Sequence, residues 1–398
     1  MYVFVLNCGS SSFKYQLLDM SNQSRVASGL VERIGMKDSV LAYEPAGAAK
    51  VKETADIADH HVAISAVLKK LIDPAVGVIK SLADIGAVGH RVVHGGEKFS
   101  GSVLIDGAVI AALEENVPLA PLHNPANIIG IRAMMRALPG VPNVGVFDTA
   151  FHATMPPEAY IYAVPYEWYE TNHVRRYGFH GTSHRYVSEQ AAQLLGIAPD
   201  NFNAITCHMG NGSSFTAIRG GKSCDTSMGM TPLEGLVMGT RCGDVDPGIP
   251  KYLADNDGMS FADIDNALNK KSGLLGISGV SSDMRDVEGA AKEGNARAKL
   301  AIDVLRHRVL KYIGAYAIEL GRVDAIVFTG GIGENAIDFR GSVVERLQVL
   351  GIRLDKEANN CRGKAAVIST PDSPIKVMVV PTNEELVIAR DTAAIVNG

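Results

Sequence analysis

The chain of 398 residues has only five cysteines, Cys8, Cys207, Cys224, Cys242 and Cys361. They are odd in number, far apart and never in a CxxC pair, which argues against a disulfide framework or a zinc site and points to reduced thiols in the cytoplasm. Long apolar runs are missing too. No stretch approaches membrane-spanning length. The apolar start Met1–Leu6 has no basic lead and soon meets Asn7 and a serine run, so it reads as a strand rather than a signal peptide. Positive charge is not in excess: 38 Lys and Arg against 43 Asp and Glu give a formal charge of -5. No Lys and Arg run is interleaved with aromatics, so a nucleic-acid partner has no footprint. GxxxxGK[ST] and the His-Arg-Asp and Asp-Phe-Gly pair are absent as well, which excludes a P-loop enzyme and a protein kinase. An apolar content of 46% is that of an ordinary globular protein. The length exceeds a single core and implies two or three domains.

What is present is organised around Val3-Phe4-Val5-Leu6-Asn7-Cys8-Gly9-Ser10-Ser11-Ser12-Phe13-Lys14-Tyr15-Gln16-Leu17-Leu18-Asp19. It reads as a strand, a small-residue turn and a second strand, a hairpin pattern. Gly9 lets the backbone approach a ligand closely, while Asn7, three hydroxyls and Lys14 surround the same spot with donors and a positive charge. Such a turn suits a phosphate. An echo follows at Ala204-Ile205-Thr206-Cys207-His208-Met209-Gly210-Asn211-Gly212-Ser213-Ser214-Phe215. Both turns close with Ser-Ser-Phe about half a chain apart, which predicts two similar domains, each offering a turn to a ligand held between them. The pattern resembles the actin-like ATPase fold.

Between and beyond these hairpins the chain alternates strands and helices. Ser28 to Tyr43 reads as strand material broken at Gly35, and 46–52 as a flexible connection. A helix is predicted over 61–71, ended by Asp73-Pro74. The strand from Ile85 runs through Arg91 and Val93 into Gly95-Gly96, and strand alternation puts Arg91 and Val93 on one face. Asn124 is the expected cap of a helix with Pro125 in its first turn, running to about Leu138, with His123 just outside where a helix N-terminus favours an anion. Asp148 falls at the carboxyl end of a strand, where α/β sheets bind ligands. Thr182 or Ser183 is expected to cap a helix ending near Gly196. His180 and His184 are four apart, but no HExxH pattern accompanies them, so the reading is structural rather than zinc-binding. A long helix is predicted over about 295–320. A buried strand then leads into a Gly-rich loop, Gly330 to Asn335, and a strand over 376–380 leads into a closing helix.

The run Gly331 to Ala336 matches GxGxxA after a strand, so a nicotinamide-dependent oxidoreductase has to be weighed. The strand comes late, however, and Glu334 would push a carboxylate toward a pyrophosphate, so a nucleotide loop in an ATPase-like domain fits better. The small-residue turns, Lys14, Arg91, Arg241, His123, His180, Asp148 and Glu384 together are parts that phosphoryl transfer needs.

Eight motifs then share one resemblance. They are Asn7 to Lys14, Gly89-His90-Arg91-Val92-Val93-His94-Gly95-Gly96, Phe147-Asp148-Thr149-Ala150-Phe151-His152, His208 to Gly212, Asp225-Thr226-Ser227-Met228-Gly229, Gly239-Thr240-Arg241, Phe328 to Asn335 and Pro381-Thr382-Asn383-Glu384-Glu385. From end to end the chain resembles the acetate kinase family. That resemblance implies an α/β fold of two actin-like, ribonuclease H-like domains with an interdomain cleft. Residues 1–149, with the closing helix 384–398 packed back on them, would form the N-terminal domain, and 150–383 a C-terminal nucleotide-binding and dimerisation domain. It implies reversible phosphorylation of acetate to acetyl phosphate by direct in-line transfer, with ATP as co-substrate, Mg²⁺ (or Mn²⁺) as the metal, a cytoplasmic homodimer, and no nucleic-acid or membrane partner.

The same resemblance implies the residue roles. Asn7 and Glu384 would hold the metal, with Lys14, Ser10 and Ser12 near the phosphates. His208, Gly210, Asn211, Gly212, Asp283, Arg285, Gly331, Gly333 and Asn335 would take ATP. Arg91 and Arg241 would clamp the carboxylate and the phosphoryl group in flight, with His180 and His123 as further donors. A carboxylate nucleophile of pKa about 4 to 5 needs no general base, so Asp148 is better read as orienting an arginine or a metal-bound water than as taking a proton. Val93, Leu122, Phe179 and Pro232 would wall a pocket for a methyl group, favouring a short acid. The rival readings are a propionate or butyrate kinase on the same scaffold and a chaperone-like ATPase switch.

Overall fold

A computed structural model describes all residues from Met1 to Gly398. The chain divides into two compact units, Met1–Phe151 with Asn383–Gly398, and His152–Thr382.

The first unit is built on eight strands, β1 (Tyr2–Cys8), β2 (Ser12–Asp19), β3 (Ser24–Glu32), β4 (Ser39–Pro45), β5 (Val51–Ala55), β6 (Ile85–Val92), β7 (Val103–Leu104) and β8 (Asn143–Phe147). They lie in the order β5-β4-β3-β2-β1-β6-β8-β7. β1 to β5 form an antiparallel meander, and β6 and β8 continue the sheet in parallel with β1. One face packs Phe4, Leu6, Tyr15, Ile64 and Val67 with the helices His60–Leu71 and Asn124–Ala137. The helix Glu384–Asn397 packs back on β6. There a Cβ on Gly89 would press on Ile388 and Thr392, so the bare glycine admits the helix.

The second unit repeats the plan with six strands, β9 (Ala204–Met209), β10 (Ser213–Arg219), β11 (Lys222–Thr226), β12 (Ala325–Thr329), β13 (Ala366–Val367) and β14 (Lys376–Val379). Their order is β11-β10-β9-β12-β14-β13, again an antiparallel hairpin set joined to parallel strands and closed by a short antiparallel edge. The helix Ala296–Leu320 covers one face through Leu305, Val309 and Ile313, and Gly181–Leu195 covers the other through Val187 and Ala191. No helix is long and apolar enough to cross a membrane.

Several local expectations change. The 46–52 connection contains the start of β5, which pairs with β4 as an exposed edge strand. β6 ends at Val92, so alternation does not reach Val93. Asn124 is the first residue of its helix rather than the cap, because its side chain is occupied by the buried backbone of His94. His180, not Thr182 or Ser183, occupies the cap of the 181–195 helix, with φ 54. The Gly-rich stretch Gly330–Asn335 is a short helix rather than a loop. The Ser-Ser-Phe echo is also out of register. Phe13 faces Cys8, the last residue of β1, whereas Phe215 faces Cys207, two residues before β9 ends.

Candidate active site

In the first unit the phosphate-type turn sits where β1 gives way to β2, with Asn7 paired opposite Lys14. The Gly9 amide closes the turn on the Ser12 carbonyl at 2.7 Å, and His60 Nε2 donates to the Gly9 carbonyl at 2.8 Å. At the carboxyl ends of the neighbouring parallel strands stand Arg91 and Asp148. Their side chains form a two-pronged ion pair, Nε to Oδ1 at 2.9 Å and Nη2 to Oδ2 at 2.7 Å, with Asp148 almost wholly buried. Burial works against the charge of Arg91. The carboxylates of Asp148 and Glu384 more than offset it and raise its pKa. Glu384 opens the 384–397 helix, and its neighbour Glu385 has a raised pKa through burial and the Glu384 charge, opposed by Lys14 and Arg91. The structure thus gathers Lys14, Arg91, Asp148 and Glu384.

The backbone around this cluster is held by two asparagines, Asn127, which the sequence reading passed over, and Asn124, which it took for a helix cap. Asn127 Oδ1 accepts from the Val93 amide at 3.0 Å, while its Nδ2 donates to the Cys8 carbonyl at 2.8 Å. Asn124 brackets both backbone groups of His94. Their signal was available, because residues three apart share a helix face and this face is otherwise apolar. His123 takes the N-cap position, as placed from sequence to within one residue. Leu122 stands 69% exposed, while Val93 is buried.

In the second unit, β9 and β10 are joined by the three-residue turn 210–212, with Gly210 donating to the Gly212 carbonyl at 3.0 Å. A Cβ added to Gly212 would lie 3.2 Å from His180 Nε2 and 3.3 Å from Arg241 Nη1. The bare glycine therefore marks where these two donors converge. The left-handed backbone of His180, uncommon outside glycine, turns its ring onto that of His208 at 4.3 Å between centroids. His208 Nδ1 bonds Ser183 Oγ at 2.8 Å, and Thr382 Oγ1 donates to the same hydroxyl. Arg241 leans on the Pro232 carbonyl and the Met238 sulfur, and burial lowers its pKa. Phe179 is buried, its carbonyl accepting from His152 Nε2. His184 is also buried, with hydroxyls of Thr206 and Ser214 on its two nitrogens and a pKa held well below normal by burial, then by His152. It is a neutral core histidine.

A cavity of about 700 Å³ in this unit brings together Gly210, Asn211, Asp283, Arg285, Gly331 and Asn335. Gly212 and Gly333 are not among its lining residues. Arg362 and Glu288 are, and no motif announced them. Asp283 caps its helix and grips Arg285, which pulls the Asp283 pKa down to about 2. Glu334, the doubtful residue of the GxGxxA match, turns its carboxylate back onto the Gly330 and Thr382 amides. β12 lies between β9 and β14 in mid-sheet and late in the chain. That is not the opening strand of a dinucleotide fold.

Comparison with known proteins agrees across the chain. A family model described as the acetokinase family matches residues 2–390. A relative named acetate kinase from Desulfitobacterium hafniense is 57% identical over 396 residues, covering 100% of this chain and 99% of its own. The crystal structure of Porphyromonas gingivalis acetate kinase superposes with a TM-score of 0.96 at 52% identity, covering 99% of both chains. A propionate kinase from Francisella tularensis gives 0.93 at 45% identity, also over 99% of each.

Proposed function

We infer the function from one premise: this chain belongs to the acetokinase family. It catalyses the reversible transfer of the γ-phosphoryl group of ATP to acetate, giving ADP and acetyl phosphate. The observation that carries this reading is the full-length likeness to relatives named acetate kinase.

The chemistry asks little of a base and much of the cations. Acetate is already ionised at neutral pH. One of its oxygens forms the new bond to γ-phosphorus as the bond to the β,γ-bridging oxygen breaks, and that electron pair leaves on ADP. Two anions must approach, so guanidinium groups aimed at the developing charge supply the main stabilisation. Arg91 takes the acid's carboxylate, and Asp148 keeps its fork oriented without accepting a proton. Arg241, His180 and His123 receive the transferring phosphoryl group. Lys14, Ser10 and Ser12 meet the phosphates. His208, Gly210, Asn211, Gly212, Asp283, Arg285, Gly331, Gly333 and Asn335 hold the nucleotide. Val93 and Leu122 of the first unit, and Phe179 and Pro232 of the second, are the residues assigned to the acid's methyl group. Asn7 and Glu384 offer the hard oxygen donors that Mg²⁺ prefers, one carboxylate with room for substrate phosphates. That ion, when bound, offsets phosphate charge. A homodimer formed through the C-terminal unit and a cytoplasmic location complete the proposal, and sedimentation tests the dimer.

The likeness to a propionate kinase favours a second reading, in which propionate is the preferred acid. ADP release from Mg-ATP, measured without acid and with acetate, propionate and butyrate, decides. Acid-dependent turnover led by acetate supports the first reading. Propionate or butyrate leading keeps the phosphoryl chemistry and changes the pocket, and acid-independent turnover defeats both.

A further inference from the structure

Two of the pocket walls assigned above, Phe179 and Pro232, lie in stretches with no regular structure, 173–180 and 227–247. His180 and Arg241 stand in the same two stretches. Phe179 is buried, but packing does not fix the 227–247 stretch on every side. Met230, Thr231, Leu233 and Glu234 line an open hollow of about 400 Å³ together with Tyr162 and Asp244.

A knot of polar groups ties the two stretches instead. Arg176 Nη1 donates to the carbonyls of Thr226, Ser227 and Met228 at 2.9, 3.2 and 3.2 Å. Its Nη2 reaches Glu234 Oε1 at 2.8 Å. The other oxygen of Glu234 accepts from the Tyr162 hydroxyl, which in turn accepts from the Met230 amide at 3.0 Å. The Gly229 carbonyl accepts from the Tyr177 and Gly178 amides at 3.1 and 3.2 Å. A Cβ on Gly229 would overlap both Glu234 Oε2 and the Tyr162 hydroxyl, so the knot closes only over a glycine. Arg176 stands three residues before Phe179, and Glu234 two after Pro232.

We propose that Arg176, Glu234 and Tyr162 are positioning residues that set the spacing between Phe179 and Pro232, and with it the length of acid the enzyme accepts. The inference rests on the acid-phosphorylating reading above. One guanidinium holds the three consecutive carbonyls through Nη1 and the Glu234 carboxylate through Nη2, and a lysine, with one nitrogen, does not offer these two separate donors held in one plane. None of the three acts on the substrate directly. Their effect passes through the distance between two apolar walls.

The test uses the full-length enzyme with Tyr162→Phe, which removes one oxygen, and Gly229→Ala, which keeps every polar side chain and wedges the knot apart. kcat and KM are measured for acetate and propionate, and backbone hydrogen exchange is followed over 226–235. One methylene is worth about 10- to 200-fold in such discrimination, so loosening the walls is expected to cut the acetate-to-propionate ratio of kcat/KM by about threefold or more. KM for Mg-ATP should hold within about twofold. Exchange over 226–235 should quicken while β9 and β10 stay protected. A loss of stability alone would lower both acids alike. An unchanged ratio in both variants overturns the proposal. If the unmodified enzyme phosphorylates no acid, the functional reading fails separately. Exchange then judges the knot: unchanged protection in both variants overturns it, and faster exchange supports it.

Discussion

Arg91 and Arg241 carry the same group in opposite settings. Arg91 is locked to Asp148 by two bonds and lies near Glu384, so its charge is balanced and its direction fixed. Arg241 rests on a carbonyl and a thioether, and burial alone lowers its pKa. An anion reaching Arg241 therefore relieves an unfavourable burial, which makes it suited to charge that grows during transfer. Arg241→Ala is expected to lower kcat by about 10²-fold or more with little change in thermal unfolding. Asp148→Asn leaves the guanidinium but removes the charge that orients it, so both a raised KM for acetate and a kcat lowered by about tenfold or more are expected. Steady-state kinetics checks both, and near-normal turnover in either variant removes the assigned role. Val93→Ala should narrow the acetate-to-propionate ratio; a constant ratio would place the wall elsewhere.

At the scale of elements, the helix Asn124–Ala137 is the brace of the residues gathered in the first unit. Its residue Asn127 joins the Cys8 carbonyl, between Asn7 and Gly9, to the amide of Val93. Asn127→Ala would leave two buried backbone groups unsatisfied, each at a cost of about 1 to 3 kcal/mol. Chemical denaturation should register that loss, and KM for both ATP and acetate should rise together because one side chain holds both walls. A fall in stability with unchanged KM values would assign Asn127 to the fold alone. The helix periodicity and the asparagine pair on its apolar face were readable in sequence, but the backbone groups those asparagines would hold were not.

For the molecule as a whole, the buried histidines set the response to acid. Burial keeps His90 and His152 down to about 4 and His184 well below its usual value. Their unfolded pKa of 6.5 is higher, so the unfolded chain binds protons first. The stability they contribute is present above about pH 6.5 and is lost as pH falls from there toward 4. Asp225 runs the other way. Burial first, then Glu319, raises it from 3.8 to about 6 against the pull of Arg176, so it favours the fold at low pH and loses that contribution as pH rises from 4 to 6. Burial also raises Glu288, Glu319 and Glu385 above the usual 4.5, but the histidines begin to lose their contribution near 6.5, above the ordinary carboxylate range, and set the direction as pH falls from 7. The Tm should fall between pH 7 and pH 5, and His90→Gln should flatten the decline. Calorimetry across that range would contradict the account if the Tm were constant.

The alternation of strands and helices, the echoing turns, the long helix over about 295–320 and the motif positions follow from sequence alone, because periodicity, glycine turns and small-residue loops are local constraints. Family membership was equally legible, since the motifs span the chain. Tertiary structure decided what local rules cannot reach. It ended β6 before Val93, turned Asn124 from a cap into a clamp on His94, and folded the Gly330–Asn335 stretch into a helix whose Glu334 carboxylate accepts from the Gly330 amide. It also joined Arg176 to Glu234 across 58 residues. The physical reason is shared: a buried polar group takes whatever partner the fold brings within reach, and that partner is set by chain positions far apart in sequence.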